Sequence, residues 1–222
     1  MKKRLQAAQE SLANCRNVVF FGGAGVSTAS GIPDFRSATG LYNQQTGSRY
    51  APETMLSHYF FLHHPDEFYD FLRGSLYYPD AKPNKAHAAL AAMEKRGKLT
   101  AVVTQNIDDL HQQAGSKVVY ELHGSMKRFY CMRCRRPYPA EKVFSMRSTP
   151  ACDACGGLVR PDVVLYGESL DSDVLQASLT AISRCDCLIV GGTSLVVYPA
   201  AGLVNYFRGK CLILINRDST AY

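Results

Sequence analysis

Two pairs of cysteines are the residues in this sequence whose spacing most clearly predicts chemistry. Cys131 with Cys134 and Cys152 with Cys155 each form a Cys-x2-Cys motif, and seventeen residues separate the two motifs. Each motif places two thiolates on one tight turn, and two such turns complete a tetrahedral Zn²⁺ site. Four thiolates leave no coordination position for water or substrate. The sequence therefore predicts a structural zinc ion and not a catalytic one.

A glycine-rich stretch over residues 18–36 predicts a nucleotide site. Four apolar residues (18–21) are typical of a short buried strand, glycines follow at 22, 23 and 25, and small polar residues at 27–30 favour a helix start. This arrangement brings bare backbone N–H groups and a helix dipole against a phosphate. Thr28 stands where the dinucleotide fingerprint has its third glycine, and no second strand with an acidic residue follows. A hydride-transferring dehydrogenase is therefore disfavoured.

Three further polar residues follow strand-like runs. Asn106 and Asp108 come after one such run and His123 after the next. Ligands of α/β sheets bind at the carboxyl ends of strands, and histidine is the natural general base near neutral pH. Asn106 and Asp108 could also be a turn and a helix cap, and His123 could be structural. Asp109 and Gln112 are interpreted as solvated helix positions.

The order Ser27, Asp108, His123 also matches the order of a serine hydrolase triad of the α/β-hydrolase type. The nucleophile elbow of that class needs a glycine two residues after the serine, and Ala29 stands there. The serine also follows the first strand, which is too early in the sheet. A serine hydrolase is therefore disfavoured.

The elements that must position these residues alternate between helix and strand. Helical spacing is found over residues 2–14, from Pro52, and over 65–78, 84–96, 108–113, 172–182 and 198–206; strand-like runs are 18–21, 99–104, 118–122, 163–165, 187–190 and 211–215. This alternation predicts an α/β fold with a Rossmann-like, mostly parallel sheet and helices on both faces. We expect residues 1–125 and 161–222 to form that domain. Residues 126–160 are expected to form a small zinc-ribbon-like lobe, to which helical parts of 37–80 contribute.

Composition sets further limits. The 222 residues are 46% hydrophobic, enough for one full-sized domain with a small appendage. No apolar run approaches the roughly 20 residues of a membrane span, and the basic amino terminus has no apolar segment of a secretory signal behind it. A cytoplasmic location is therefore expected. The net charge of +6 comes from basic residues spread along the chain, so it indicates an ordinary surface and no nucleic-acid partner.

The other four cysteines are interpreted as buried thiols. Cys15, Cys185, Cys187 and Cys211 lie in or beside apolar runs. In a chain without an export signal, disulfides among the eight cysteines are not expected.

Taken together, the motifs resemble those of the sirtuins, the family of NAD-dependent protein lysine deacylases. The motifs are GAGVSTASGIPDFR, TQNID, ELHGS, the two Cys-x2-Cys pairs, RPDVVLYGE and GGTSLVVYPAA. The resemblance covers residues 18–216, with every motif in family order, and the IPDFR loop is most similar to that of bacterial sirtuins. The resemblance implies a deacetylase that uses NAD as a co-substrate, acts on acetylated lysine in proteins or peptides, and releases nicotinamide and O-acetyl-ADP-ribose.

The resemblance also implies roles for residues at matching positions. Those implied to contact NAD are Ala24, Gly25, Ser27, Thr28, Phe35, Arg36, Gln105, Ile107, Asp108, His123, Gly192, Thr193, Ser194, Asn216 and Arg217. Those implied to hold an extended substrate peptide by strand addition are Val164, Tyr166, Gly167, Glu168, Leu195 and Val196. The implied catalytic residues are His123 as the base that removes a ribose hydroxyl proton, Asn106 as the residue that orients substrate or water, and Asp108 on the nicotinamide carboxamide.

The sequence departs from the family pattern at a few positions. Gly22 stands where threonine is common. Family members that prefer acidic acyl groups carry a tyrosine and an arginine three residues apart, whereas Tyr69 is followed at that spacing by Leu72, with Arg73 one position further. One residue rotates a helical side chain by about 100°, so we expect deacetylation over desuccinylation. The sequence ends at Tyr222, before the further strand and helix that close the adenine pocket in sirtuins.

Two other functions use the same residues. The fold could transfer ADP-ribose to a protein side chain, or it could be a non-catalytic scaffold that binds NAD or ADP-ribose. Retention of Asn106, Asp108 and His123 favours deacylation.

Overall fold

The computed structural model describes residues 2–43 and 49–217 of the protein. The α-helices in these residues are α1 (Lys2–Ala13), α2 (Pro52–Met55), α3 (His58–His63), α4 (Pro65–Ser75), α5 (Lys85–Lys95), α6 (Leu110–Gln113), α7 (Ala140–Ser145) and α8 (Ser172–Arg184). The strands are β1 (Val18–Gly22), β2 (Leu99–Thr104), β3 (Val119–Glu121), β4 (Gly124–Cys131), β5 (Pro137–Pro139), β6 (Val159–Val163), β7 (Cys187–Gly191) and β8 (Cys211–Ile215). No helix within the described ranges has the length and apolar character needed to cross a membrane.

Five strands form one sheet in the order β3-β2-β1-β7-β8, and every neighbouring pair is parallel. The central strands β1 and β7 are buried along their whole length, as expected for parallel strands covered on both faces. One face packs against α8 and a 3₁₀ helix over Ala200–Tyr206, and the other against α1 and α5. The predicted parallel sheet with helices on both faces is confirmed.

Three strands form a second sheet in the order β5-β4-β6, with antiparallel pairing. Its core also contains side chains of α2, α3 and α4, among them Phe61 and Phe68. We expected residues 163–165 to return to the parallel sheet, and this prediction is wrong. Val163 ends β6, opposite Gly124 of β4, because Val159, Val163 and Leu165 pack into this second core. The domain boundaries at residues 126 and 160 stay predictions.

Local structure differs from expectation at two turns of the parallel sheet. The segment after β1 forms two 3₁₀ helices, Ala24–Val26 and Thr28–Ser30, instead of an α-helix. Gly31 ends the second one in a left-handed conformation with φ 86°, and Pro33 follows. The segment predicted as a helix over 198–206 is likewise 3₁₀. A spacing of three to four residues between apolar side chains does not separate these two helix types.

Candidate functional site

A cleft of about 1560 Å³ lies at the carboxyl end of the parallel sheet. Its wall on that side is formed by residues that follow β1, β2, β7 and β8, and the opposite wall by α4 and residues 163–168. This is the edge at which α/β sheets bind ligands. Of the predicted NAD-contacting residues, all fifteen line the cleft.

Two glycines allow the turns after β1 and β7 to touch. The Gly25 amide donates to the Gly192 carbonyl at 2.8 Å. A Cβ on Gly25 would lie 2.8 Å from the Gly192 Cα, and a Cβ on Gly192, whose φ is 60°, would lie 2.4 Å from the Val26 nitrogen. Both positions therefore require glycine, which leaves main chain without side chains at the floor of the cleft.

Ser27 joins two of the predicted catalytic residues. Its side chain is fully buried, its Oγ donates to Asp108 Oδ2 at 2.6 Å, and it accepts from Asn106 Nδ2 at 3.0 Å. Asp108 Oδ1 also accepts from the Leu110 amide at 3.0 Å, so this carboxylate caps the start of α6 as well. Within the described residues no hydrogen bond joins Ser27 to His123. The geometry of a serine hydrolase triad is absent from this part of the chain.

His123 is held as a neutral base. Its Nδ1 lies 3.0 Å from the Gln105 carbonyl oxygen. Because a carbonyl oxygen only accepts, Nδ1 carries the hydrogen and Nε2 of the neutral ring holds the lone pair. Burial lowers the pKa of His123, against the opposing effect of the bond to Gln105. The ring is therefore neutral at pH 7.

The ends of β2, β7 and β8 are joined through side chains. Gln105 Nε2 donates to Thr193 Oγ1 at 3.0 Å. Asn216 Nδ2 donates to the Thr193 carbonyl at 2.8 Å, and its Oδ1 accepts from the Thr193 amide at 3.1 Å. Three predicted cofactor residues thus form one hydrogen-bonded row along the sheet edge.

The loop that carries Phe35 and Arg36 is organised around Tyr42. The Phe35 ring meets the Tyr42 ring edge-on at 5.4 Å, and the Arg36 guanidinium lies 5.1 Å from the centre of the Tyr42 ring. The Tyr42 hydroxyl is 2.8 Å from the Tyr166 hydroxyl on the opposite wall. Burial, followed by this hydrogen bond, raises the pKa of Tyr42. Sequence reasoning missed Tyr42, whose only signal was its place as one of two tyrosines in the polar segment 41–50.

Residues 164–167 present main chain to the cleft. The Tyr166 amide donates to Leu56 and its carbonyl accepts from His58, at 3.0 and 2.9 Å, while the Val164 amide donates to the His123 carbonyl at 3.0 Å. In the described part of the chain, the Val164 carbonyl and both main-chain groups of Gly167 have no hydrogen-bond partner. These groups are the ones left for an added strand.

The Glu168 carboxylate supports this segment from inside the protein. Arg160 donates to both of its oxygens at 2.6 and 2.9 Å, the His58 Nδ1 lies 2.7 Å away, and the Leu165 amide donates at 2.8 Å. Arg160 is buried and was not singled out from the sequence. The hydrogen bonds from Arg160 and Leu165 and the charge of Arg160 outweigh burial and lower the pKa of Glu168.

Leu195 and Val196 do not line the cleft, although their neighbours Ser194 and Val197 do. Leu195 is buried with a left-handed φ of 57°, and its amide donates to Thr193 Oγ1 at 3.2 Å. Val196, the next residue, is exposed.

The interpretation of Asp109 and Gln112 as solvated positions is wrong. Gln112 Nε2 donates to Glu121 at 2.8 Å, and Asp109 is half-buried with φ 67°, because both pack where α6 meets β3.

The four cysteines of the two Cys-x2-Cys motifs converge. Their Sγ atoms all lie within 4.8 Å of one another, with 3.5 Å between Cys131 and Cys155 and 3.6 Å between Cys134 and Cys152. A tetrahedron with Zn–S bonds of about 2.3 Å has sulfur–sulfur edges of about 3.8 Å, so the donor set fits zinc. Tyr138 donates to Cys152 Sγ at 3.1 Å and lowers the pKa of that thiol to about 6, which favours the thiolate that a metal binds.

Comparison with known proteins finds a matching family model and proteins that are similar over nearly the whole chain. A family model described as the Sir2 family matches residues 23–199. An NAD-dependent protein deacetylase of Clostridium perfringens is 56% identical over 221 residues, which is 99% of this chain and 91% of that protein. An NAD-dependent protein deacetylase of Staphylococcus aureus (strain N315) is 44% identical over 222 residues, 100% of this chain and 91% of that protein.

Solved structures give the same result. A structure described as Sir2-p53 peptide-NAD+ is 42% identical with a TM-score of 0.85, and the match covers 98% of this chain and 88% of that one. A structure of Sir2 bound to acetylated peptide is 41% identical, with the same TM-score of 0.85 and the same coverage.

Proposed function

This chain belongs to the Sir2 family, and we propose that it is an NAD-dependent protein deacetylase whose cleft binds NAD and an acetyl-lysine side chain together. The observation that carries the proposal is His123. It is a neutral histidine at the cleft, with Nδ1 held by the Gln105 carbonyl and with Nε2 unpartnered within the described residues. A base of this kind suits proton abstraction at neutral pH.

The reaction needs positioning more than acid catalysis. NAD supplies a ribose carbon with a good leaving group, nicotinamide, and the acetyl carbonyl oxygen is the nucleophile. His123 Nε2 then takes the proton of a ribose hydroxyl, which attacks the acyl carbon, and the lysine amine leaves with a proton. One water molecule adds to the remaining acyl-ribose, so that the products are free lysine, nicotinamide and O-acetyl-ADP-ribose. Because burial lowers the pKa of His123 from 6.5, the base is unprotonated at pH 7.

The Ser27 network positions the cofactor. We assign Asp108 to the nicotinamide carboxamide and Asn106 to the orientation of substrate or water. Ser27 holds both side chains, at 2.6 and 3.0 Å, so neither needs to be ordered when NAD binds. The row of Gln105, Thr193 and Asn216 fixes the adjoining edge of the sheet in the same way.

The acyl pocket favours an apolar, uncharged group. The Tyr69 hydroxyl is buried and donates to the Val159 carbonyl at 2.5 Å, and Arg73 donates to main-chain carbonyls after α7 at 2.8 and 2.9 Å. Neither side chain lines the cleft; α4 contributes Phe68 and Leu72 instead. Because Arg73, the cation of α4, does not line the cleft, α4 offers no positive charge to a carboxylate there, and acetyl-lysine is expected to be preferred over succinyl-lysine.

The peptide is assigned to the cleft edge formed by residues 164–168 and to Leu195 and Val196, whose neighbours Ser194 and Val197 line the cleft. The unpaired main-chain groups of Val164 and Gly167 support strand addition, since such groups bind a peptide of any sequence. The zinc is assigned to Cys131, Cys134, Cys152 and Cys155, where it holds the small sheet in shape. A cytoplasmic location and the absence of nucleic-acid partners stay predictions from composition.

The test measures nicotinamide and O-acetyl-ADP-ribose formed from NAD with an acetyl-lysine peptide. We expect peptide-dependent release that falls by about 10²-fold or more in His123→Ala, and faster turnover of the acetyl peptide than of a succinyl peptide. His63→Ala is the matched control, because His63 also bonds a main-chain carbonyl through Nδ1 but is exposed on α3.

Two results would overturn the proposal. Transfer of labelled ADP-ribose to protein, without deacetylation, would indicate an ADP-ribosyltransferase. Binding of NAD without any nicotinamide release would indicate a non-catalytic scaffold.

A further inference from the structure

A second group of cysteines lies far from the Cys-x2-Cys motifs in the sequence. The Sγ atoms of Cys15, Cys187 and Cys211 all lie within 4.8 Å of one another. Cys187 and Cys211 are the first residues of the neighbouring parallel strands β7 and β8 and pair in register, so their side chains point to the same face. Cys15 reaches that face from the connection between α1 and β1.

The three thiols sit at the amino-terminal end of the sheet, opposite the cleft. They belong to the apolar layer that α1 and α5 form with the sheet, and Cys15 and Cys187 are only 2% and 0% exposed. Cys211 is half-buried on β8, the edge strand among the described residues, and gives the cluster access to solvent. Burial raises the pKa of Cys15 and of Cys187, so these two free thiols are neutral and compatible with an apolar layer.

Cys185 shows that burial alone does not place a cysteine in this cluster. Its side chain belongs to the core on the opposite face of the sheet, and its Sγ donates to the Ile182 carbonyl at 3.2 Å. It is therefore a buried thiol close in sequence to Cys187 but outside the convergent set.

We propose that Cys15, Cys187 and Cys211 form a three-coordinate site for one soft monovalent cation, Cu(I), distinct from the zinc site. Thiolates select soft ions such as Cu(I), and Cu(I) is satisfied by two or three sulfur ligands, whereas structural zinc sites take four. The two clusters thus differ in the number of donors that the fold supplies.

No His, Cys, Asp or Glu of the described residues adds a fourth ligand atom to the three sulfurs. The neighbouring carboxylate is Asp186, and both of its oxygens already accept main-chain amides, from Arg16 at 2.9 Å and from Asn17 at 3.0 Å. Each Cu–S bond forms at a deprotonated sulfur, and the thiol proton is released to solvent. Bound Cu(I) would tie the α1–β1 connection to the first residues of β7 and β8.

The experiment titrates zinc-loaded protein with Cu(I) under anaerobic conditions, in competition with a chromophoric Cu(I) chelator, while released zinc is measured in parallel. We expect one Cu(I) bound per chain with zinc retained. We expect at least tenfold weaker binding in Cys211→Ser, and unchanged binding in the control Cys185→Ser. Cys15→Ser serves as the second test variant if Cys211→Ser does not fold, judged by its circular dichroism.

Thermal unfolding gives an independent readout that does not involve enzyme activity. One equivalent of Cu(I) should raise the Tm of the zinc-loaded wild type and of Cys185→Ser, because a ligand that binds only the folded state stabilises it. The Tm of Cys211→Ser should rise less than that of the wild type. Displacement of zinc in proportion to the Cu(I) added, or equal Cu(I) affinity in wild type and Cys211→Ser, would overturn the proposal.

Discussion

The two walls of the cleft are built in different ways. On the parallel-sheet wall, polar side chains hold one another: Ser27 contacts Asn106 and Asp108, and Gln105 contacts Thr193. The opposite wall, formed by α4 and residues 163–168, is called the small-sheet wall. On this wall, residues 164–167 offer main-chain groups and apolar side chains. The Glu168 carboxylate of this wall is paired with Arg160 and His58 inside the protein.

This difference predicts that the parallel-sheet wall determines the reaction and that the small-sheet wall determines peptide binding. A wall made of side chains fixes which atoms meet a small cofactor, so a single substitution there should change the reaction itself. A wall made of main chain accepts many peptides, and its shape depends on the ions and ion pairs behind it. Substitutions behind that wall should change peptide binding and local stability while leaving the parallel sheet intact.

Removal of zinc should have the largest effect and should break only the small-sheet wall. A structural zinc site stabilises a small fold by about 10–16 kcal/mol in peptide systems, so the three-stranded sheet should lose its structure. We expect nicotinamide release to stop after chelation and to return when Zn²⁺ is added back. Amide hydrogen exchange should become fast at Val159 and stay slow at Val103 and Val190, in the parallel sheet. Activity that persists in zinc-free protein would contradict this division.

Ser27→Ala should have the next largest effect, on the parallel-sheet wall. The substitution leaves the buried Asn106 amide and one Asp108 oxygen without their shared partner, which costs about 1–3 kcal/mol. We expect kcat/KM for NAD to fall by roughly 10- to 100-fold. Ser178→Ala is the matched control, since Ser178 is equally buried but bonds the Val174 carbonyl within α8. Equal activity of the two variants would show that Ser27 does not position the site.

The parallel-sheet wall was also the more predictable one. Its strands are continuous apolar runs, such as residues 18–21 and 187–190, and its polar residues follow those strands directly in sequence. The Cys-x2-Cys motifs were predictable for the same reason, because each places two ligands on one local turn. In both cases, residues close together in the sequence were enough to predict the site.

The contacts that sequence reasoning missed are long-range. His58 and Glu168 are 110 residues apart in the chain, and Tyr42 and Tyr166 are 124 apart. Cys15 lies close to Cys187 and Cys211 only because the α1–β1 connection passes the first residues of β7 and β8. Likewise, the apolar run at 163–165 has no local feature that distinguishes a strand of the parallel sheet from β6. Packing against the second core decided its position.

Glu168→Gln should have a smaller effect, confined to the small-sheet wall. The amide keeps the size of the carboxylate but weakens the pairing with Arg160, and residues 164–168 should lose order. We expect KM for the peptide to rise by about tenfold with little change in kcat. The matched control is Glu121→Gln, since Glu121 also pairs with an arginine, Arg128, but does not line the cleft. A change in kcat alone would indicate a catalytic role and not a positioning one.

The smallest expected effect is a loss of stability in mild acid that originates beneath the parallel-sheet wall. His111 of α6 is buried beside His87, with ring centres 4.7 Å apart, and neither ring nitrogen of His111 has a hydrogen-bond partner among the described residues. Burial lowers the pKa of His111 to about 3 and also lowers that of His87. The pKa of Glu168, behind the other wall, is instead lowered from 4.5, because its hydrogen bonds with Arg160 and Leu165 outweigh burial.

The sign of the pH dependence follows from these directions. Below about pH 6.5 the unfolded chain binds a proton at His111 that the folded protein does not, so stability is complete above that pH and is lost as the pH falls toward 3. Each such histidine costs up to about 1.4 kcal/mol per pH unit. Urea unfolding of wild type at pH 7, 6 and 5 should therefore show a steeper decline than that of His111→Leu, whereas His63→Leu, at an exposed histidine, should follow the wild type. Parallel declines in wild type and His111→Leu would contradict the prediction, because the buried imidazole would then contribute nothing to the pH dependence of the free energy of unfolding.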